Sequence, residues 1–109
     1  MDRQKARQKA VELVEQMTVE EMASQMRYDA PAIPRLQISA YNWWNEGLHG
    51  VARGGTATVF PQAIGLAAMF DEETMRSVAD AVSTEGRAKY NEFQKEGDTD
   101  IYKGLTYWT

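Results

Sequence analysis

The chain has 109 residues, which suits one domain or part of one, and no cysteine, which excludes disulfides, thiolate metal sites and a cysteine nucleophile. Its 12 basic and 16 acidic residues give a net charge of −4, so nothing electrostatic favours a nucleic-acid or anionic-membrane partner. A content of 43% apolar and 26% charged residues is that of a globular chain, and the lack of a long apolar run or hydrophobic leader makes a cytoplasmic location the expectation.

Asp2 to Met17 reads as an amphipathic helix: Ala6, Ala10, Leu13, Val14 and Met17 recur at helical spacing, with Arg3, Lys5, Arg7, Lys9, Glu12 and Glu15 on the other side. Thr18 followed by Glu21 has the form of a capping box, opening a second short helix to about Arg27 whose Val19, Met22, Ala23 and Met26 form a core-filling stripe. These helices make up residues 1–28. The prolines of Asp29 to Pro34 break the pattern into a loop. Ile38 to Trp44, rich in β-branched and aromatic residues, is the expected first strand, which places Asn45 to Gly50 just past its C-terminal end, the edge where parallel α/β folds bind ligands.

Tyr41 to Phe70 holds the only histidine, two of the three tryptophans and a single acid, Glu46. Aromatic walls beside a few polar groups suit a concave site for a polyhydroxylated ligand, and adjacent tryptophans equally suit a plain core. Arg53-Gly54-Gly55-Thr56 reads as a turn and matches no phosphate-binding fingerprint; Ala63 to Ala68 is a small-residue run in which Gly65 permits close backbone approach. Residues 29–70 therefore carry the first strand and a candidate site loop. Asp71 is a suitable N-cap for a long helix over 71–95, with Met75, Val78, Ala79, Val82 and Tyr90 on one stripe. Gly86 inside it lowers helix propensity by about 1 kcal/mol and so points to close packing against a neighbour. Lys95 to Asp100 is a polar turn, and residues 101–109 begin a further strand, with Leu105 to Trp108 patterned for burial on both faces. Helix, helix, strand, loop, long helix, strand is the opening of an alternating α/β fold, read here as the helix-rich start of a (β/α)8 TIM-type barrel that stops before the barrel closes.

The ordered set NEGLHG and TVFPQAIGLAAMFD, with STEGRAKYNEF and DIYKGLTYWT downstream, resembles the N-terminal part of glycoside hydrolase family 3, of the β-xylosidase and β-glucosidase type. The resemblance implies a barrel domain and retaining hydrolysis of terminal, non-reducing β-linked xylose or glucose, with no cofactor and no metal. Retaining hydrolysis needs two carboxyl groups about 5 to 5.5 Å apart, one as nucleophile and one as acid then base. The resemblance places the nucleophile in a Ser-Asp-Trp-type motif and the acid/base later still; neither occurs in these residues, so no catalytic residue is expected here and the chain alone is expected to be inactive.

The resemblance also implies that Glu46, within NEGLHG, accepts hydrogen bonds from hydroxyls of the sugar at the cleaved end. The plain alternative for Glu46 is an ion pair with Arg53 or Arg35. His49 stands three residues on and could share a helical face with Glu46 as metal ligands do; the favoured reading is an imidazole that supports the loop, alongside Arg53. Trp43 and Trp44 either wall the pocket or pack beneath it, and strand alternation would send them to opposite faces. Gly47 and Gly55 stand where alanine is expected from related sequences. The expected partners are a β-linked glycoside or oligosaccharide and the remainder of an enzyme chain, with open sheet edges that favour a homo-oligomer. A non-enzymatic carbohydrate-binding or structural module is the alternative to a piece of an enzyme.

Overall fold

The computed structural model describes residues 2–108; Met1 and Thr109, the outer ends of the expected domain and of its last strand, lie outside them. The chain divides into two compact units, residues 1–41 and 42–109. In the first, Asp2 caps α1 (Arg3–Val14) by accepting the Gln4 amide at 2.9 Å. The helix ends before Met17, because the amides of Gln16 and Met17 turn back to the carbonyls of Leu13 and Val14 and tighten the last turn. The capping box forms as the spacing predicts: the Thr18 hydroxyl accepts the Glu21 amide and the Glu21 carboxylate accepts the Thr18 amide, opening α2 (Val19–Ser24). This helix stops at Ser24 rather than near Arg27, again by short-range bonds from Gln25 and Met26.

Asp29–Ala30 (β1) lies inside the stretch expected to be loop and pairs with Tyr41–Asn42 (β2), the strand in which the chain passes from one unit to the next. Between them, Ile33 bonds reciprocally with Ile38 around a 3-10 turn at Pro34–Leu36. Ala30 and Ile33 are buried, and Arg35 reaches back to the Glu21 carboxylate and the Gln16 carbonyl. The Arg35 guanidinium, with help from the Thr18 amide, holds the Glu21 carboxyl below its ordinary value.

In the second unit the expected strand over Ile38 to Trp44 does not form as one element. The Asn42 side chain accepts the Trp44 amide at 2.9 Å, a local turn that competes with the extended ladder and interrupts it at Trp43 and Trp44. The strand that pairs is instead Asn45–Glu46 (β3), parallel to Tyr107–Trp108 (β4) in the register Asn45 to Tyr107 and Glu46 to Trp108. The Gly47 amide continues the ladder to the Trp108 carbonyl, and the Tyr102 amide, from the turn before β4, donates to the Trp44 carbonyl. Asn45 is fully buried (0% exposed); its side chain accepts the Gly104 amide and donates to the Asn42 carbonyl and the Thr106 hydroxyl, which joins the two strand ends.

The connection holds a 3-10 turn at Ala52–Gly54, a short helix α3 (Ala63–Ala67) and the long helix α4 (Glu72–Lys95). Asp71 caps α4 through the Thr74 amide and hydroxyl, and those bonds lower its carboxyl pKa. At the other end Gly97 bonds to Gln94 and Asp98 to Phe93, the paired closure of a Schellman motif. Gly86 packs closely, as expected: a Cβ there would stand 2.7 Å from the Tyr107 hydroxyl. Gly65 does not, since the nearest atom to its Cβ position, in Pro61, is at an ordinary 3.5 Å.

The last strand is shorter than the pattern suggests. Residues 101 and 102 form a turn, with Tyr102 in the left-handed region at φ 66°, and the strand starts only at Tyr107. Burial on both faces is also overturned: Tyr107 is half-buried and Trp108 is 67% exposed, in a sheet that has two strands among the described residues. Among the described residues no helix is long and apolar enough to cross a membrane.

Candidate functional site

The parallel pair fixes Glu46. It is the last residue of β3 rather than a residue past the strand's end, and its side chain emerges where the strand gives way to the Gly47–Gly50 turn. One carboxylate oxygen accepts the Trp44 indole N–H at 3.3 Å; the other accepts the Arg53 Nε–H at 3.0 Å. A carboxylate offers about four lone-pair sites. Two are filled by donors that fix its orientation, and the side chain keeps part of its surface exposed.

Arg53 is held on its other side by Tyr102, whose ring centroid lies 5.7 Å from the guanidinium carbon. Glu46 and Arg53 share an open hollow of about 560 Å³ with Leu48, His49, Ala52 and Val59. Glu46 is the one carboxylate among the lining residues, so the hollow offers no second acid for double-displacement chemistry.

His49 lies at the rim, bonded twice to Phe60: its Nδ1–H donates to the Phe60 carbonyl at 2.9 Å, and the Phe60 amide donates to the His49 carbonyl at 3.0 Å. A carbonyl can only accept, so Nδ1 carries the proton and, in the neutral ring, Nε2 is the acceptor. Residues 46–49 are not helical, so Glu46 and His49 do not share a helix face, and among the described residues no three of His, Asp and Glu gather as a metal site requires. Gly50 closes this turn at φ 86°, where an added Cβ would meet the Thr58 carbonyl at 2.6 Å. The turn therefore requires glycine.

The two tryptophans part ways. Trp44 reaches Glu46 through its indole nitrogen, whereas Trp43 offers its backbone carbonyl to the Trp108 indole at 3.3 Å; neither ring is among the lining residues, and both are about half exposed. The structure thus brings Trp44, Glu46, Arg53 and His49 to one place and leaves Trp43 beside it. Of the two ion-pair partners considered for Glu46, Arg53 is the one used.

Helix α4 supplies residues that the sequence pattern did not mark. The half-buried Lys89 ammonium donates to the Val51 carbonyl, and burial holds its pKa below the ordinary lysine value. The Glu85 carboxylate accepts the Thr58 amide at 3.1 Å and the Thr58 hydroxyl at 2.6 Å. These side chains sit on the polar flank of an amphipathic helix, where a solvated charge and a tertiary anchor look alike in sequence. Tyr102 likewise lies in a segment that reads as strand, whereas its backbone is left-handed and its ring stands beside Arg53. A second hollow, of about 300 Å³, runs along α4 beside Phe60, Leu66, Met75, Val82 and Leu105. Its lining is mostly apolar, with Ser83, Arg87 and Tyr107 as polar members and no carboxylate.

No protein-family model matches the chain. No solved structure matches it. Among curated proteins it is 42% identical to a xylan 1,4-beta-xylosidase of Xylanibacter ruminicola, across 95% of this chain and 12% of that protein. It is 43% identical to a probable exo-1,4-beta-xylosidase of Aspergillus flavus, across 93% of this chain and 13% of the relative, and equally to one of Aspergillus fumigatus, with 14% of that relative covered. The chain thus spans 12 to 14% of the length of these relatives. Over nearly all of its own length, this chain is similar to a minor share of proteins named β-xylosidases, the type its ordered motifs resemble.

Proposed function

We propose that this chain supplies one wall of the sugar site of a retaining β-glycosidase acting on terminal, non-reducing β-linked xylose, with Glu46 accepting hydrogen bonds from ring hydroxyls at the cleaved end. The observation that carries the reading is the doubly oriented Glu46 carboxylate, held by Trp44 and Arg53 at the end of a parallel strand and open to a hollow. Fixed acceptors of this kind hold a sugar ring so that its anomeric carbon meets the nucleophile, which is where positioning lowers the barrier. The names of the relatives favour xylose over glucose.

In this reading β3, α4 and β4 open a (β/α)8 barrel, the nucleophile and the acid/base come from other parts of a longer enzyme chain, and the 109 residues alone do not hydrolyse glycosides. The lone carboxylate in the hollow supports that division of labour. The test is hydrolysis of nitrophenyl β-xyloside and β-glucoside by the chain and by the longest protein its gene encodes. Activity in the longer product alone, greater on the xyloside, is the expected result. No activity in either overturns the reading, and saturable xylose binding with no hydrolysis by the longer product would move it to a carbohydrate-binding module.

A further inference from the structure

Arg53 orients Glu46 and leans on the Tyr102 ring, but its side chain is largely exposed and its turn, Ala52–Gly54, carries no side-chain cap, so its aim depends on where the loop that bears it is held. The loop that bears it is tied to α4 on both sides of that turn. On the near side the Lys89 ammonium donates to the carbonyl of Val51, itself one of the buried apolar residues; on the far side Glu85 accepts both the amide and the hydroxyl of Thr58. Lys89 and Glu85 stand one helical turn apart on α4, so a rigid helix spans the loop between its two attachment points.

We propose that Lys89 and Glu85 are positioning residues for the Glu46 site, clamping the Val51–Thr58 loop so that Arg53 stays aimed at the carboxylate. The inference rests on the reading of Glu46 as the sugar-orienting residue. Neither side chain lines the hollow, so both act through the loop and never on the ligand. Charge-assisted bonds to backbone groups are well suited to such a clamp. They hold main chain, whose position sets the direction of the Arg53 side chain, and a lysine already partly stripped of water loses little more by making one.

The test reads Arg53 directly. In the nitrogen-15-labelled chain, the Arg53 Nε–H resonance, assigned by its loss in Arg53→Lys, is expected downfield and slow to exchange while it is bonded to Glu46, and Glu46→Gln moves it. Lys89→Met is expected to move it in the same direction and Lys89→Arg to restore it. Glu85→Gln, which leaves the helix packing nearly intact, serves where Lys89→Met fails to fold. Xylose titration is the second arm: Lys89→Met is expected to weaken binding about fivefold, the scale of one lost tertiary hydrogen bond, and to have no further effect in Glu46→Gln. An Arg53 resonance unchanged in both Lys89→Met and Glu85→Gln overturns the clamp, as does a xylose effect that multiplies with that of Glu46→Gln. If the resonance responds while Glu46→Gln leaves xylose binding intact, the clamp stands and the sugar reading of Glu46 fails.

Discussion

Gly86 and Tyr107 meet at a distance that leaves no room for a methyl group. Alanine at position 86 would improve helix propensity by about 1 kcal/mol, but its Cβ would lie 2.7 Å from the Tyr107 hydroxyl and 3.3 Å from the ring carbon that bears it. The close atoms belong to the ring end of Tyr107, a stiff side chain, so overpacking is expected to outweigh propensity, and Gly86→Ala to destabilise the chain by roughly 1 to 2 kcal/mol in urea unfolding. Tyr107→Phe removes the nearest atom, and in that background the penalty should shrink by at least half; an equal penalty in both backgrounds would show that the contact is not the cause. Legibility at this scale was uneven, for a physical reason. Gly86 stood out because glycine inside a helix is costly, and Glu46 because it is the only acid in its stretch. Lys89, Glu85 and Tyr102 did not, because a charged residue on a helix flank and an aromatic in an apolar run are what solvation and packing ordinarily produce, and their role depends on a loop distant in sequence.

At the scale of elements, the features written in local chemistry were readable. The Thr18 and Glu21 box, the Asp71 cap and the long helix over 71–95 all depend on residues within one turn of one another. The strands were misplaced because their bounds depend on competition between partners far apart. Asn42 diverts the ladder at Trp44, and Asn45 bridges to Gly104 across the sheet, neither of which β-propensity can express. The same caps and pairs set the response to acid. Glu21 beside Arg35, Asp71 on the Thr74 amide and Asp98 beside Lys103 all have carboxyl pKa values held below their ordinary 4.5 or 3.8. The unfolded chain therefore takes up protons first as the pH falls, so the stability they provide is complete above about pH 5 and is lost as the pH drops through the folded values. Urea midpoints are expected to be level between about pH 7 and 5 and to fall by about pH 3.5, with a smaller fall in Arg35→Gln; a midpoint independent of pH over that range would contradict the assignment.

For the molecule as a whole, the balance of burial is unusual. Among the described residues the buried apolar side chains are Ala30, Ile33 and Val51, all small or medium, while Phe70 is 96% and Met26 89% exposed. Among the described residues β3 and β4 form a sheet of two strands, and the apolar face of α4 borders an open hollow. Surfaces of this kind associate, by edge pairing or by covering apolar patches. The isolated chain is accordingly expected to show a mass above that of a monomer in light scattering, rising with concentration; a monomer mass at every concentration would contradict this.

The central claim is that Glu46 holds the sugar and does no bond-breaking itself. Its most direct test is the rate on nitrophenyl β-xyloside of the longest protein encoded by the gene, with and without Glu46→Gln. The substitution keeps shape and removes charge, so it should lower kcat/KM by about 10- to 100-fold, the value of one or two charge-assisted hydrogen bonds, while leaving measurable turnover and the fold intact. An unchanged kcat/KM in the folded variant would contradict the account, and so would complete loss of turnover, the mark of a catalytic carboxylate.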